Sequence, residues 1–117
     1  MKLREIAEKL RLEDLTAGFS LEEPLDVTRG HASDLLSDVL ANAPAGGLLL
    51  TIQVHMNVVA VALHAGLKAV IFCSGMKPPE DVRVRAIAEK IALLSTTDST
   101  FDAAGKLYAL GLRGNQE

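Results

Sequence analysis

The sequence predicts an α/β fold of three layers (α/β/α), with helices on both faces of a mostly parallel sheet of about four to five strands. Three observations carry that expectation. Leu48-Leu49-Leu50-Thr51-Ile52, Ala69-Val70-Ile71-Phe72-Cys73 and Ile91-Ala92-Leu93-Leu94 are short, continuous apolar runs of strand length. Strands buried on both faces read this way, without polar alternation. Each run is followed by a polar loop and a helical segment, so strand, loop and helix recur about every 20 residues from Leu25 onward. The composition agrees: of 117 residues 49% are apolar but only 3% aromatic, so the core is Ala, Val, Leu and Ile.

The elements follow in order. Leu3, Ile6, Ala7 and Leu10 recur at helical spacing among charged residues, which predicts an amphipathic helix over residues 2–12. Residues 13–24 contain Gly18, Ser20 and Pro24 and read as a connector or weak edge strand. Leu25 to Thr28 is a short extended run, Gly30 to Ser33 a loop, and Ser33 the expected N-cap of a helix through Leu40. Ala43-Pro44-Ala45-Gly46-Gly47 ends that helix. Asn57 to Leu67 reads as helix, and Pro79-Glu80-Asp81 opens another that runs to Lys90. Asp98 or Ser99 caps a last helix through Leu110, with Gly111 at its C′ position. Residues 1–117 form a single domain in this reading: residues 1–24 are an N-terminal helix and connector, and the tail 113–117 frays.

Composition and motifs exclude several functions. A length of 117 residues supports one globular domain, not two. A net charge of −3 and the scarcity of aromatics offer neither a phosphate-tracking patch nor a base-stacking platform, so no nucleic-acid partner is expected. Cys73 is the sole cysteine, so the chain has no internal disulfide and no thiolate set for a metal or cluster, and Cys73 reads as a small buried hydrophobe. The charged Met1-Lys2-Leu3-Arg4-Glu5 start is no signal peptide. The longest apolar stretch, Val58 to Leu63, falls far short of the ~18 residues of a membrane span. A cytoplasmic protein without a membrane partner is the expectation. No P-loop, GxGxxG, GxSxG or HExxH occurs. The chain therefore reads as not an enzyme, with no cofactor, no metal and no catalytic residues.

In open α/β sheets ligands bind at the carboxyl ends of the strands, beside helix N-termini. The loops there offer Thr51, Gln53, His55, Asn57, Ser74, Gly75, Ser95 and Thr96 as candidate ligand-binding residues. They are neutral donors and acceptors, suited to a nucleotide or another anion. Asn57 reads first as the N-cap of the helix that follows, and as a ligand contact second.

Several segments, in order, carry a family resemblance. Leu49 to Leu63 resembles the middle of a DRTGG domain. Ala69 to Pro78 is similar to that family's strand and Thr-Gly-Gly-type loop, and Leu93 to Ala104 to its last strand and closing helix. His31 to Ala43 is similar to the corresponding segment of the stand-alone members. Val54-His55 stands where the family has an Asp-Arg pair, and Cys73-Ser74-Gly75 where it has Thr-Gly-Gly. The resemblance implies a three-layer α/β domain related to the N-terminal domain of HPr kinase/phosphorylase and to accessory domains found beside CBS modules in some pyrophosphatases. It implies a non-catalytic regulatory or protein-interaction module. Ala- and Val-rich surfaces favour a homodimer, and a protein partner encoded in the same gene cluster is the second candidate. The alternative is a small-ligand sensor binding a nucleotide or another anion at the strand C-terminal loops.

Overall fold

The structure is a computed structural model, and it describes residues 1–17 and 25–115. The elements are helix α1 (Leu3–Leu10), strands β1 (Glu13–Asp14) and β2 (Gly30–Ala32), helix α2 (Leu36–Asn42), strand β3 (Leu48–Thr51), helix α3 (Asn57–Ala65), strand β4 (Ala69–Phe72), helix α4 (Glu80–Ala88), strand β5 (Ala92–Ser95) and helix α5 (Thr100–Ala109). The sheet order is β1-β5-β4-β3-β2. Strands β2 to β5 are parallel and β1 runs antiparallel to β5. This is the α/β class that the apolar runs predict.

The order along the sheet fixes the layers. Strands β2, β3, β4 and β5 are consecutive neighbours, so successive right-handed crossovers all fall on one face. Helices α2, α3 and α4 form that layer, packing Val39, Val58, Val59, Ala62, Val82 and Ala86 against Leu49, Val70, Phe72 and Leu93. Helices α1 and α5 cover the opposite face, where Leu3, Ile6, Leu10, Ala103 and Leu107 meet Leu48, Leu50, Ala69, Ile71, Cys73 and Leu94. Alternate residues of each strand thus feed two separate cores, and every residue of β3, β4 and β5 is buried.

Four expectations need correction. The first parallel strand is Gly30–Ala32, not Leu25 to Thr28, because His31 registers opposite Leu49 of β3. The Leu25–Thr28 run lies instead beside the N-terminus: Leu3 N–H donates to the Leu25 carbonyl and Val27 N–H to that of Met1. Ser33 does not cap α2, which starts at Leu36. Its Oγ accepts the Leu35 N–H at 3.2 Å in the preceding turn. Asn57 is the first residue of α3 rather than its cap, and its N–H donates to His55 Nδ1 at 3.2 Å.

The tail does not fray at Arg113. Gly30 N–H donates to the Arg113 carbonyl at 2.9 Å and Arg113 N–H to that of Thr28 at 3.2 Å, so this residue covers part of the open edge of β2. Asn115 Nδ2 reaches the Asn42 carbonyl at 2.9 Å. Residues 116 and 117 lie outside the described residues. So does 18–24 of the expected connector, whose residues 13–14 do form a short edge strand. Ser99 caps α5 as expected, accepting the Asp102 N–H at 3.1 Å.

Candidate functional site

The carboxyl ends of β3, β4 and β5 lie side by side, with Thr51 opposite Phe72 and Phe72 opposite Ser95. Helix α4 then turns to one face of the sheet and α5 to the other, so the loops after β4 and β5 part company. A divergence of this kind is where open sheets form a crevice. Here the two loops are tied across it. Ser74 N–H donates to the Asp98 carbonyl at 2.7 Å and Gly75 N–H to that of Thr96 at 2.9 Å. Ser74 and Gly75 reach these acceptors from left-handed backbone, φ 58° and 73°. Glycine accommodates that conformation freely, whereas serine does so at a cost.

The candidate residues take different positions on this edge. Thr51 is buried, donates its hydroxyl to Asp34 Oδ1 at 2.9 Å and accepts the Gln53 N–H at 3.1 Å. The same Asp34 oxygen accepts the Ile52 N–H at 2.8 Å, so Asp34 pins the β3–α3 turn. Gln53, His55 and Asn57 are exposed beyond it. Ser95 and Thr96 are buried at the end of β5, and Thr96 Oγ1 accepts the Asp98 N–H at 3.1 Å. Ser74 and Gly75 are exposed in the tied loop.

Of these residues Thr96 alone borders a polar cleft of ≈ 320 Å³, which lies between the end of α1 and the β5–α5 loop. Its other polar walls are Lys9, Arg11, Thr97, Asp98 and Lys106. Lys106 Nζ pairs with Asp98 Oδ2 at 2.7 Å. No acidic side chain among the described residues pairs with Lys9 or Arg11. Sequence reasoning missed these cations because they come from the two ends of the chain and share no local spacing.

A second, apolar hollow of ≈ 130 Å³ lies between α5 and the β2 edge, bordered by His31, Leu50, Leu107, Tyr108 and Arg113. The Arg113 guanidinium sits 3.7 Å from the Tyr108 ring centroid, a cation–π contact. His31 Nε2 lies 2.8 Å from Asp38 Oδ2. Hydrogen bonds from Asn42, His31 and Ser33 hold the Asp38 carboxyl at about 2. Cys73 is fully buried, and burial pushes its thiol up, which disfavours a reactive thiolate. Among the described residues no three His, Cys, Asp or Glu side chains come together as a metal site. No helix there is long and apolar enough to cross a membrane.

No protein-family model matches the chain, and no curated protein matches it. A solved structure does. It contains the CBS and DRTGG domains of the regulatory region of Clostridium perfringens pyrophosphatase, complexed with activator, diadenosine tetraphosphate. The match has a TM-score of 0.76 over 91% of this chain, at 14% identity. The fold is DRTGG-like. The chain spans 45% of the length of that structure, and at 14% identity the two share architecture rather than side chains. The DRTGG-like scaffold accounts for the parallel sheet and its two helical layers.

Proposed function

We propose that this DRTGG-like domain is a non-catalytic regulatory module of the cytoplasm that works through protein contact, first of all with a second copy of itself. The carrying observation is the outer surface of the α2–α4 layer. Helix α3, NVVAVALHA, contains no Asp, Glu, Lys or Arg, although it is the middle helix of an exterior layer. Leu63 of α3 is 44% exposed, and Val84 and Ile87 of α4 are 61% and 43% exposed. A helix without a charged face is ordinarily covered, and obligate interfaces are more apolar than free surfaces. The likeness of the fold to a pyrophosphatase regulatory region supports a regulatory role. A partner encoded beside this chain is the other occupant of that surface.

Light scattering after size exclusion tests the reading. The expected species has twice the 12.5 kDa mass of the chain. Leu63→Glu with Val84→Glu should return it to the monomer with an unchanged circular dichroism spectrum. A native chain that stays monomeric at every concentration, or a dimer that survives both substitutions, sinks it.

A second reading, a small-ligand sensor at the strand ends, is favoured by the tied β4–α4 and β5–α5 loops. Gln53, His55, Asn57, Ser74 and Gly75 would meet the ligand from the exposed side, with Thr51, Ser95 and Thr96 beneath. A ligand at about 100 times its Kd adds about 2.7 kcal/mol of stability. A thermal-shift series with nucleotides and phosphorylated metabolites that moves nothing overturns this reading.

A further inference from the structure

We propose that the polar cleft between the end of α1 and the β5–α5 loop binds a phosphate-bearing small anion, which displaces Asp98 from Lys106. The site stands apart from self-association. It shares Thr96 with the strand-end reading but lies on the α1/α5 face rather than above the β3 turn.

Three cationic residues border this cleft, Lys9 and Arg11 from the end of α1 and Lys106 from α5, against the single carboxylate of Asp98. The chain as a whole is acidic, with a net charge of −3, so a local excess of positive charge runs against its average. Cations at a helix C-terminus also complement the helix dipole, which gives Lys9 and Arg11 a structural role. That role does not bring in Lys106, which belongs to another helix, nor the two threonines. Thr96 Oγ1 already accepts the Asp98 N–H, which leaves its O–H to donate. Thr97 is exposed beside it. Two hydroxyl groups that can donate and three cationic groups make a donor-rich wall once the Asp98 carboxylate swings away.

The volume and lining select the ligand chemistry. A space of ≈ 320 Å³ stands at the small end of ligand sites, which run from roughly 300 to 1,000 Å³. No aromatic residue borders it, so a base would find no stacking partner and phosphate is the group recognised. The Lys106–Asp98 pair is largely exposed on the lysine side, and such pairs contribute little. A phosphate dianion meeting Lys9, Arg11 and Lys106 together forms several charge-assisted contacts and outcompetes one carboxylate.

Displacement has a consequence for the loop. The Asp98 backbone accepts the Ser74 N–H at 2.7 Å and donates to Thr96. The residue that yields Lys106 is therefore one of the two, with Thr96, that tie the strand-end loops. Occupation of the cleft is read out at Ser74 and Gly75, on the far side of that tie.

Calorimetric titration of the full chain with inorganic pyrophosphate tests the site, with inorganic phosphate and ATP as parallel arms. Saturable binding is expected. Lys9→Gln and Arg11→Gln should each weaken it roughly tenfold, the scale of one charge-assisted contact. Asp98→Asn should tighten it, whereas Asp102→Asn, the same charge change on α5 outside the cleft, should leave it within about twofold. The amide resonances of Ser74 and Gly75 should shift on binding. Arg11 holds left-handed backbone at φ 54°, where glycine is favoured. Arg11→Gly should therefore raise the thermal midpoint of the free protein while it lowers affinity, a pairing that a merely structural arginine would not give. Pyrophosphate binding tighter than ATP supports a free phosphate anion, and the reverse supports a nucleotide. Absence of saturable binding in all three arms overturns the proposal, as does indifference to Arg11→Gln or an equal response to Asp98→Asn and Asp102→Asn. The Leu63→Glu, Val84→Glu variant keeps the cleft, so it binds even if self-association fails.

Discussion

At the scale of single residues, Asp38 shows how a surface carboxylate is tuned by its neighbours. Asn42 Nδ2 donates to Oδ1 at 2.8 Å, and His31 Nε2 meets Oδ2 at 2.8 Å. Together with Ser33 they lower the carboxyl from 3.8 to about 2. A depressed carboxylate favours the folded state while it is ionised, so its contribution is full above its unfolded value and is lost as pH falls through about 2. Asp38→Asn should thus lower the urea midpoint at neutral pH. The gap to the native chain should close between pH 4 and 2, and a constant gap across that range would contradict the assignment. Gly47 marks a different single-residue constraint. A Cβ there would meet the Arg29 carbonyl oxygen at 2.8 Å and that of Pro44 at 3.0 Å. Both obstacles are backbone, so Gly47→Ala should cost about 1–3 kcal/mol in denaturant melts.

At the scale of elements, the shortest strand does much of the edge protection. Strand β1 has two residues, yet the chain after it stays fixed to β5: Leu15 N–H donates to the Leu93 carbonyl at 2.9 Å and Thr16 Oγ1 accepts the Leu93 N–H at 3.0 Å. Thr16 is fully buried, so Thr16→Val leaves the Leu93 N–H without its acceptor in the interior. A loss of about 1–3 kcal/mol is expected, with hydrogen exchange at Leu93 accelerated. Slow exchange there in the variant would show that another acceptor takes over. The elements that the sequence made legible are those whose own residues decide them. Strands β3, β4 and β5 are buried at every position and read as apolar runs. Strand β2 is Gly-His-Ala, with no apolar run, and becomes a strand only because β3 offers it a partner. The Arg113 bridge and the cation cleft were illegible for the same reason, since each joins residues far apart in the chain. The strand-end loops were legible as polar connections before helices, but not the hydrogen bonds that tie two of them together.

At the scale of the whole molecule, the sheet divides the interior into two cores that share no side chain, and a single buried cysteine reports whether they melt together. Phe72 points into the α2–α4 core, and Cys73, its neighbour in sequence, into the α1/α5 core. Both are fully buried. Removing the Phe72 ring costs about 3–5 kcal/mol, a large share of the roughly 5–15 kcal/mol that holds a domain of this size. The cavity opens on the face away from the thiol. If the cores open as one unit, the rate of Cys73 modification under native conditions tracks global unfolding. Phe72→Ala should then raise that rate by roughly 10²–10⁴. Arg4→Ala, at an exposed position of α1 outside the proposed self-association surface, serves as the control and should leave it nearly unchanged. The thiol suits the measurement because burial both hides it and raises its pKa, so reaction in the closed state is slow. A Phe72→Ala protein that melts earlier yet labels at the native rate would mean that the α1/α5 layer holds its side of the sheet alone. Shared strands make that outcome costly: each of β3, β4 and β5 contributes alternate residues to both cores, so loss of one layer exposes the backbone on which the other is built.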